Sequence, residues 1–220
     1  MNQGEITLYF DKTREPAANI ERETELFDLI DGRKHTECVR FWVDSPCLVR
    51  GKARSAKYGW YNEELAKKLN IQVLERTTGG GVVYHDEGNL NWSFYLRSSG
   101  AFQSPTASFS RASRFIIQAL GHLGIHADFS PPNRIDVSGR KVSGMAARST
   151  VRTLLVHGTL LLHSNLEILN RLCIPPAGCP PVSNLDEWKA GIDAEAVVSE
   201  LVHVLENSGY TVSKGVGTDK

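Results

Sequence analysis

The stretch from Leu74 to Leu96 reads LERTTGGGVVYHDEGNLNWSFYL and gathers more reactive chemistry than any other part of the chain. Gly79, Gly80 and Gly81 lie between two apolar, β-rich runs. Without Cβ atoms such a backbone reaches positive φ and can bring its N–H groups close to an anion or a carbonyl oxygen. Arg76 precedes the glycines with a planar fork of donors suited to phosphate or carboxylate. His85, Asp86 and Asn89 follow them. Taken alone, a triple glycine reads equally as a hairpin between solvated polar residues. Two further positions stand out. Lys141 follows a tight turn in GRKVSGMA, where the plain reading is a surface lysine on a hairpin. His157 sits inside the apolar run LLVHGTLL, where the plain reading is a hydrogen-bonded core residue.

The spacing of these residues resembles a known pattern. Arg76, Gly79, Gly80, Gly81, Val83, His85, Asp86, Gly88, Asn89, Leu90 and Asn91 match the signature R-x-x-G-G-G-x-V-x-H-D-x-G-N-L-N of lipoate-protein ligases, in the biotin/lipoate ligase superfamily. Many members carry two consecutive arginines where this chain has Glu75 and Arg76, so a ligand-binding role passes to Arg76 only. A second string, N-D-[LI] followed by G-x-K-[IV]-[SA]-G-[SM]-A, is met by Asn133, Ile135, Gly139, Lys141, Val142, Gly144 and Ala146. Arg134 stands where that motif has aspartate. His157-Gly158-Thr159 resembles the third motif, H-G-[TS]-L-L. The loop PCLVRGKARS keeps Gly51 of the usual G-R-x-Q turn but has Arg50, Lys52 and Arg54 around it.

The resemblance implies an ATP-dependent enzyme that activates lipoate to lipoyl-AMP and passes the acyl group to a carrier lysine. Arg76 and the backbone from Gly79 through Val82 and Val83 to Tyr84 would cradle the AMP, with His85, Asn89 and Asn133 close by. Lys141 would be the catalytic residue, bridging phosphate and acyl carbonyl. Gly144 would leave room for the acyl chain, and His157 would shape the pocket wall. Attack of a carboxylate on an α-phosphate must cancel negative charge and support a pentavalent centre, which a lysine, Mg²⁺ and backbone donors supply. ATP and Mg²⁺ are the implied cofactors, and no protein metal site is assigned. The implied partner is a lipoyl domain or glycine-cleavage H protein, with a separate small accessory subunit a further option.

A second chemistry occurs in the superfamily. Octanoyltransferases use a cysteine thioester and no ATP. Cys173 and Cys179 lie 16 and 22 positions after His157, close to the spacing of one transferase branch, although the glycine motif here is of ligase type. The biotin-ligase adenylation loop G-R-G-R-x-G-R-x-W is absent. A non-catalytic or partner-dependent subunit of a two-component ligase is the third reading.

The elements that must position these residues follow from periodicity and turn chemistry. Helices are predicted at Asn19 to Ile30 with Asn19 as cap, Tyr61 to Leu69, Phe109 to Leu123, Leu166 to Leu172 and Ala194 to Asn207. Strands are predicted at Arg40 to Val43, Leu48 to Val49, Ile71 to Leu74, the half-buried Leu90 to Leu96, Leu154 to Leu162 broken by a polar triplet, and Tyr210 to Ser213. Ser138-Gly139 reads as a hairpin turn. Strands and helices without regular βαβ alternation indicate a single α+β domain over 1–220, with a mixed or antiparallel sheet flanked by helices. The resemblance makes this the class II synthetase-like catalytic domain without an accessory domain.

Composition is that of a soluble globular protein. Hydrophobic content is 41% and charged content 23%, with 25 basic and 25 acidic residues giving no net charge, so neither a nucleic-acid nor a membrane-surface binder is indicated. No apolar run reaches the roughly 18 residues of a membrane span, and the N-terminus has no signal pattern, which makes the cytoplasm the expectation. The four cysteines, Cys38, Cys47, Cys173 and Cys179, form no C-x-x-C pair and read as free thiols.

Overall fold

The computed structural model describes residues 4–33, 36–52, 60–98, 104–175 and 177–217. Arg54, one of the basic residues of the loop after Gly51, lies outside them. In chain order the elements are β1 (Gly4–Phe10), α1 (Pro16–Asp31), β2 (Glu37–Val43), β3 (Cys47–Arg50), α2 (Glu63–Lys68), β4 (Gln72–Glu75), β5 (Val82–His85) and β6 (Asn89–Arg97). They continue with α3 (Pro105–His122), β7 (Asp128–Ser130), β8 (Arg134–Val137), β9 (Arg140–Ser149), β10 (Thr153–Leu161), α4 (Leu166–Leu172), α5 (Ala194–Asn207) and β11 (Tyr210–Lys214). The result is the α+β class anticipated above, built on a mixed sheet.

Eight strands form the main sheet in the order β11-β1-β2-β6-β10-β9-β8-β7, and β4-β3-β5 form a small second sheet. Within the main sheet β1 runs parallel to both β11 and β2, and the remaining pairs are antiparallel. One face of the main sheet packs under α3 and α5. There Leu90, Trp92, Phe94 and Leu96 of β6 meet Phe115, Ile116 and Leu120 of α3 and Leu201 and Leu205 of α5. Phe94 stacks on Phe115 with ring centroids 5.6 Å apart. The other face is covered by α1, whose Leu26, Phe27 and Ile30 pack on Cys38, Tyr95 and Leu155.

Three expectations change in physically instructive ways. β6 is buried on both faces, because it is central in the sheet and α1 covers the side that alternation assigned to solvent. Its polar residues are accordingly bonded: Ser93 donates to Glu23 and Asn91 donates to Asp44. β10 runs unbroken through His157-Gly158-Thr159, and a Cβ at Gly158 would lie 2.6 Å from the Trp92 ring, so the glycine admits a large neighbour. α1 starts at Pro16 with no side-chain cap. Asn19 sits inside the helix, fully buried, bonded to Asp44, Arg40 and the Thr13 carbonyl.

That asparagine belongs to a buried polar knot. Arg40 is fully enclosed and donates to Asp11, to the Asn19 carbonyl and to the Asn19 side chain, with its guanidinium 4.3 Å above the Trp42 ring centroid. A buried arginine deprived of its carboxylate is strongly destabilising. Asp11→Ala should therefore lower stability by about 3–5 kcal/mol in urea unfolding. A variant as stable as wild type would show that the knot does not hold α1 to β2.

Candidate active site

Between the α1 face of the main sheet and the small sheet lies a cavity of about 580 Å³. Its apolar walls include Ile20, Trp42, Val49 and Trp60, and its polar lining includes Arg76, Lys141 and His157. A mostly apolar chamber with a few convergent polar groups suits a small ligand carrying an aliphatic part and a charged end.

The glycine loop forms one wall. It is not a hairpin: β3 lies between β4 and β5, parallel to the first and antiparallel to the second, so the loop crosses over the end of β3. The crossing is tight, since a Cβ at Gly51 would sit 2.4 Å from the Gly80 carbonyl oxygen and one at Gly81 the same distance from the Trp60 ring. Gly80 adopts φ +98°, a value that favours glycine.

Arg76 holds this loop from inside. Its Nε donates to Thr78 Oγ1, one Nη to the Val49 carbonyl and the other to the carbonyls of Gly79 and Gly81, all at 2.9–3.0 Å. Four of its five N–H groups are thereby committed to protein, and the side chain is 93% enclosed (7% exposed). Burial lowers its pKa to about 10, against the opposing pull of Glu23. Because carbonyl and amide point oppositely across a planar peptide, turning the Gly79 oxygen toward Arg76 turns the Gly80 N–H away from it. The sequence assigned Arg76 to the ligand; the structure shows it first as the organiser of the loop.

Behind Arg76 runs a chain of hydrogen bonds. With Arg76 donating to Thr78 Oγ1, the hydroxyl proton is directed to His157 Nε2 at 2.8 Å, and His157 Nδ1 donates to Glu23 Oε1 at 2.7 Å. Ser93 donates to the same carboxylate oxygen. Burial would raise the Glu23 pKa, but His157, Ser93 and Arg40 together outweigh it and hold the carboxyl below its ordinary value. His157 is thus a bonded wall residue, as its apolar strand suggested.

A second cluster centres on Asp44. Its oxygens accept from Asn19, Trp42, Asn91 and His85 Nδ1, the last at 2.8 Å. Cys47 approaches the same point, and one donor atom each from Asp44, Cys47 and His85 fall within 4.8 Å of one another. Burial, then the Asp44 and other carboxylate charges, push the Cys47 thiol up, and Asp44 is already surrounded by donors, so the group is organised as a hydrogen-bonded cluster. Asp86 anchors the neighbouring turn by accepting from the Gly88 and Asn165 N–H groups.

Lys141 forms the opposite wall with Asn133 and Gly144. Asn133 donates to the Met145 carbonyl, tying the start of β8 to β9. The lysine backbone is zipped to the proline-rich strap through Pro181 and Ser183. Its side chain folds back over Gly144, where a Cβ would stand 2.9 Å from Nζ. Among the described residues the ammonium has no ion-pair partner. Burial lowers its pKa, and the charge of Arg134 adds to that. Cys173 and Cys179 line the same cavity from the strap. Burial pushes the Cys173 thiol up to about 11, although Lys141 and the Tyr84 N–H act against the rise.

Of the residues singled out from sequence, Arg76, Gly80, Gly81, Val82, Val83 and Tyr84 line the cavity, and so do His85, Asn133, Lys141, Gly144 and His157. Gly79 and Asn89 do not. The Gly79 carbonyl faces Arg76, and Asn89 is buried with its side-chain N–H donated to Asn91. Glu23, Asp44 and Thr78 were not foreseen, because an acid inside a helix or after a strand carries no local sign of the histidine it will meet.

This architecture is that of lipoate ligases. A bi-partite lipoate protein ligase from Thermoplasma acidophilum, solved together with its E2 lipoyl domain, matches at TM-score 0.81 and 21% identity over 99% of this chain and 89% of that one. A lipoate-protein ligase A bound with ATP matches at TM-score 0.78 and 22% identity, over 100% and 90% of the two chains. The lipoyl protein ligase A/B catalytic domain model matches residues 15–206, and the chain belongs to that family. Lipoate–protein ligase 1 of Staphylococcus aureus is 36% identical over 138 residues, 62% of this chain and 41% of that protein. The chain spans 37% of the length of the Bacillus subtilis lipoate-protein ligase and 61% of that of the Bdellovibrio bacteriovorus lipoate-protein ligase A.

The Glu23 interactions make a pH-dependent prediction. A carboxyl whose folded pKa lies below its ordinary value contributes stability above that value and loses it as pH falls through the folded pKa. Glu23→Gln should be about 1–3 kcal/mol less stable than wild type near neutral pH. The gap should narrow as pH drops below the ordinary value of 4.5. A gap that stays constant down through this range in urea titrations would show that the Glu23 charge is not what His157 reads.

Proposed function

We propose that the chain is the catalytic domain of a lipoate-protein ligase, converting lipoate and ATP to lipoyl-AMP and pyrophosphate and then acylating a carrier lysine. The observation that carries this reading is Lys141: a cavity-facing ammonium without an ion-pair partner among the described residues, where the apolar chamber meets the glycine loop. Family membership and the fold shared with ligases that bind ATP or accompany a lipoyl domain support it.

In the first step the lipoate carboxylate attacks the α-phosphorus. Lys141 would lie between the two anions and offset their repulsion, while the Gly80 N–H, turned away from Arg76 by the Gly79 carbonyl bond, would donate to the phosphate. Apolar walls exclude water from the mixed anhydride. In the second step the neutral amine of the acceptor attacks the acyl carbonyl, Lys141 stabilises the developing oxyanion, and AMP departs. Magnesium would arrive on the triphosphate, since the cavity-lining carboxylates Glu23 and Asp44 are committed to hydrogen bonds and offer it no free ligand. The acceptor is the exposed lysine of a lipoyl domain or H protein, and a small separate accessory subunit completes the system where the chain acts as one part of a two-part ligase. The reaction belongs in the cytoplasm, and no helix among the described residues is long and apolar enough to cross a membrane.

The thioester route is disfavoured at Cys173, whose thiol is desolvated by burial. A thiol held at about 11 is ionised to only about one part in 10⁴ at neutral pH, leaving Cys173 a weak nucleophile. Lys141→Ala should lower lipoate-dependent pyrophosphate release by about 10²- to 10³-fold. Cys173→Ala and Cys179→Ala should keep it close to wild type. No lipoate-dependent pyrophosphate release from wild type, with acyl transfer from an octanoyl thioester donor lost in a cysteine variant and kept in Lys141→Ala, would replace the ligase with a transferase.

A further inference from the structure

Arg134 occupies the position where the resembling ligase motif has aspartate, and it brings to the cavity a third cation beside Arg76 and Lys141. The register of β8 and β9 sets Asp136 opposite Lys141 and Arg134 opposite Gly144, past an irregularity between them. Residues two apart on a strand share a face, as do cross-strand partners. Arg134, Asp136 and Lys141 therefore stand together, and both cations line the cavity while Asp136 does not. Among the described residues Asp136 is the one carboxylate paired with Arg134, through contacts of 3.4 Å from Nε and 3.2 Å from Nη2. These occupy two of the five guanidinium N–H groups. Three have no acceptor among the described residues, including both on Nη1.

Two positive groups and one carboxylate on a half-buried face leave a net positive charge directed into the chamber. Like charges held close in such a place are unfavourable until an anion joins them, and burial together with the Arg134 charge already disfavours the Lys141 ammonium. One phosphate between the glycine loop and Lys141 does not use the planar fork of Arg134. A longer polyanion does.

We propose that Arg134 binds the terminal phosphates of the nucleoside triphosphate, so that Lys141 serves the α-phosphate and Arg134 the departing pyrophosphate. The inference rests on the adenylation reading above. In that step a carboxylate oxygen forms a bond to the α-phosphorus, the bond from the α-phosphorus to the bridging oxygen breaks, and pyrophosphate leaves with the electron pair. Negative charge grows on the leaving group, where a guanidinium with parallel N–H groups acts best. The acyl-transfer step releases AMP and contains no pyrophosphate, so Arg134 has nothing to hold there. Reversing the motif's charge at this position also supplies, from the protein, part of the positive charge that the saturated cavity carboxylates cannot recruit as metal.

Calorimetry with three probes separates the possibilities: pyrophosphate, ATP and chemically prepared lipoyl-AMP, on wild type, Arg134→Gln and Arg134→Lys. Arg134→Gln should weaken pyrophosphate and ATP by about 10- to 100-fold, the loss of a charge-assisted hydrogen-bonded pair, while lipoyl-AMP stays within about twofold. Arg134→Lys should recover part of the loss. Equal weakening of all three probes, with a lowered melting temperature, would make Arg134 a structural residue paired to Asp136 and overturn the assignment, as would no change in any. A wild-type protein that binds pyrophosphate through Arg134 but forms no lipoyl-AMP would keep the polyphosphate site and remove the ligase reading.

Discussion

The buried guanidinium of Arg76 is the constraint on which the rest of the site depends. Removed from water, it is tolerable only if nearly every N–H finds an oxygen, and the oxygens within reach are the backbone carbonyls of Val49, Gly79 and Gly81 and the Thr78 hydroxyl. Meeting that demand turns the Gly79 and Gly81 carbonyls toward the guanidinium and the Gly80 N–H away from it. The same contacts clamp β3 beneath the loop and extend through Thr78 and His157 to Glu23 on α1. One cation thus fixes the small sheet, the loop and the first helix relative to one another, and the chamber is what lies between them.

The opposing wall follows a different logic. Lys141 is positioned by its backbone, zipped to the strap at Pro181 and Ser183, and by the missing side chain of Gly144, which lets its own chain fold back. Among the described residues it has no ion-pair partner, in contrast with Arg76, four of whose five N–H groups are committed to protein. The two cations divide the work: one shapes the site and the other remains available to a ligand.

Much of this was legible in the chain. Helices α4 and α5 have the predicted limits, since their caps Asn165 and Asp193 and their apolar periodicity agree. Ser138 and Gly139 adopt φ of 51° and 76°, the paired positive values of a two-residue hairpin, and Gly124 takes φ 83° just after α3. The three motifs converge on one cavity. What was not legible depends on distant partners. Nothing near Glu23 or Asp44 announces His157 or His85, the burial of both faces of β6 depends on where α1 docks, and the interposition of β3 between β4 and β5 is a fact of topology. Asn19 looked like a cap because asparagine commonly is one; Pro16 begins the helix and Asn19 is drawn inward by Arg40 and Asp44.

The central claim is that the cavity activates a carboxylate by joining it to AMP. It is tested most directly by incubating the protein with lipoate carrying heavy oxygen in its carboxylate, together with MgATP and a carrier domain, and weighing the AMP released. Attack of the carboxylate on the α-phosphorus leaves one heavy oxygen in AMP once the acyl group has moved on, and the account predicts labelled AMP in step with carrier acylation. Acylated carrier with unlabelled AMP, or with none, would mean that the acyl group travels by another route.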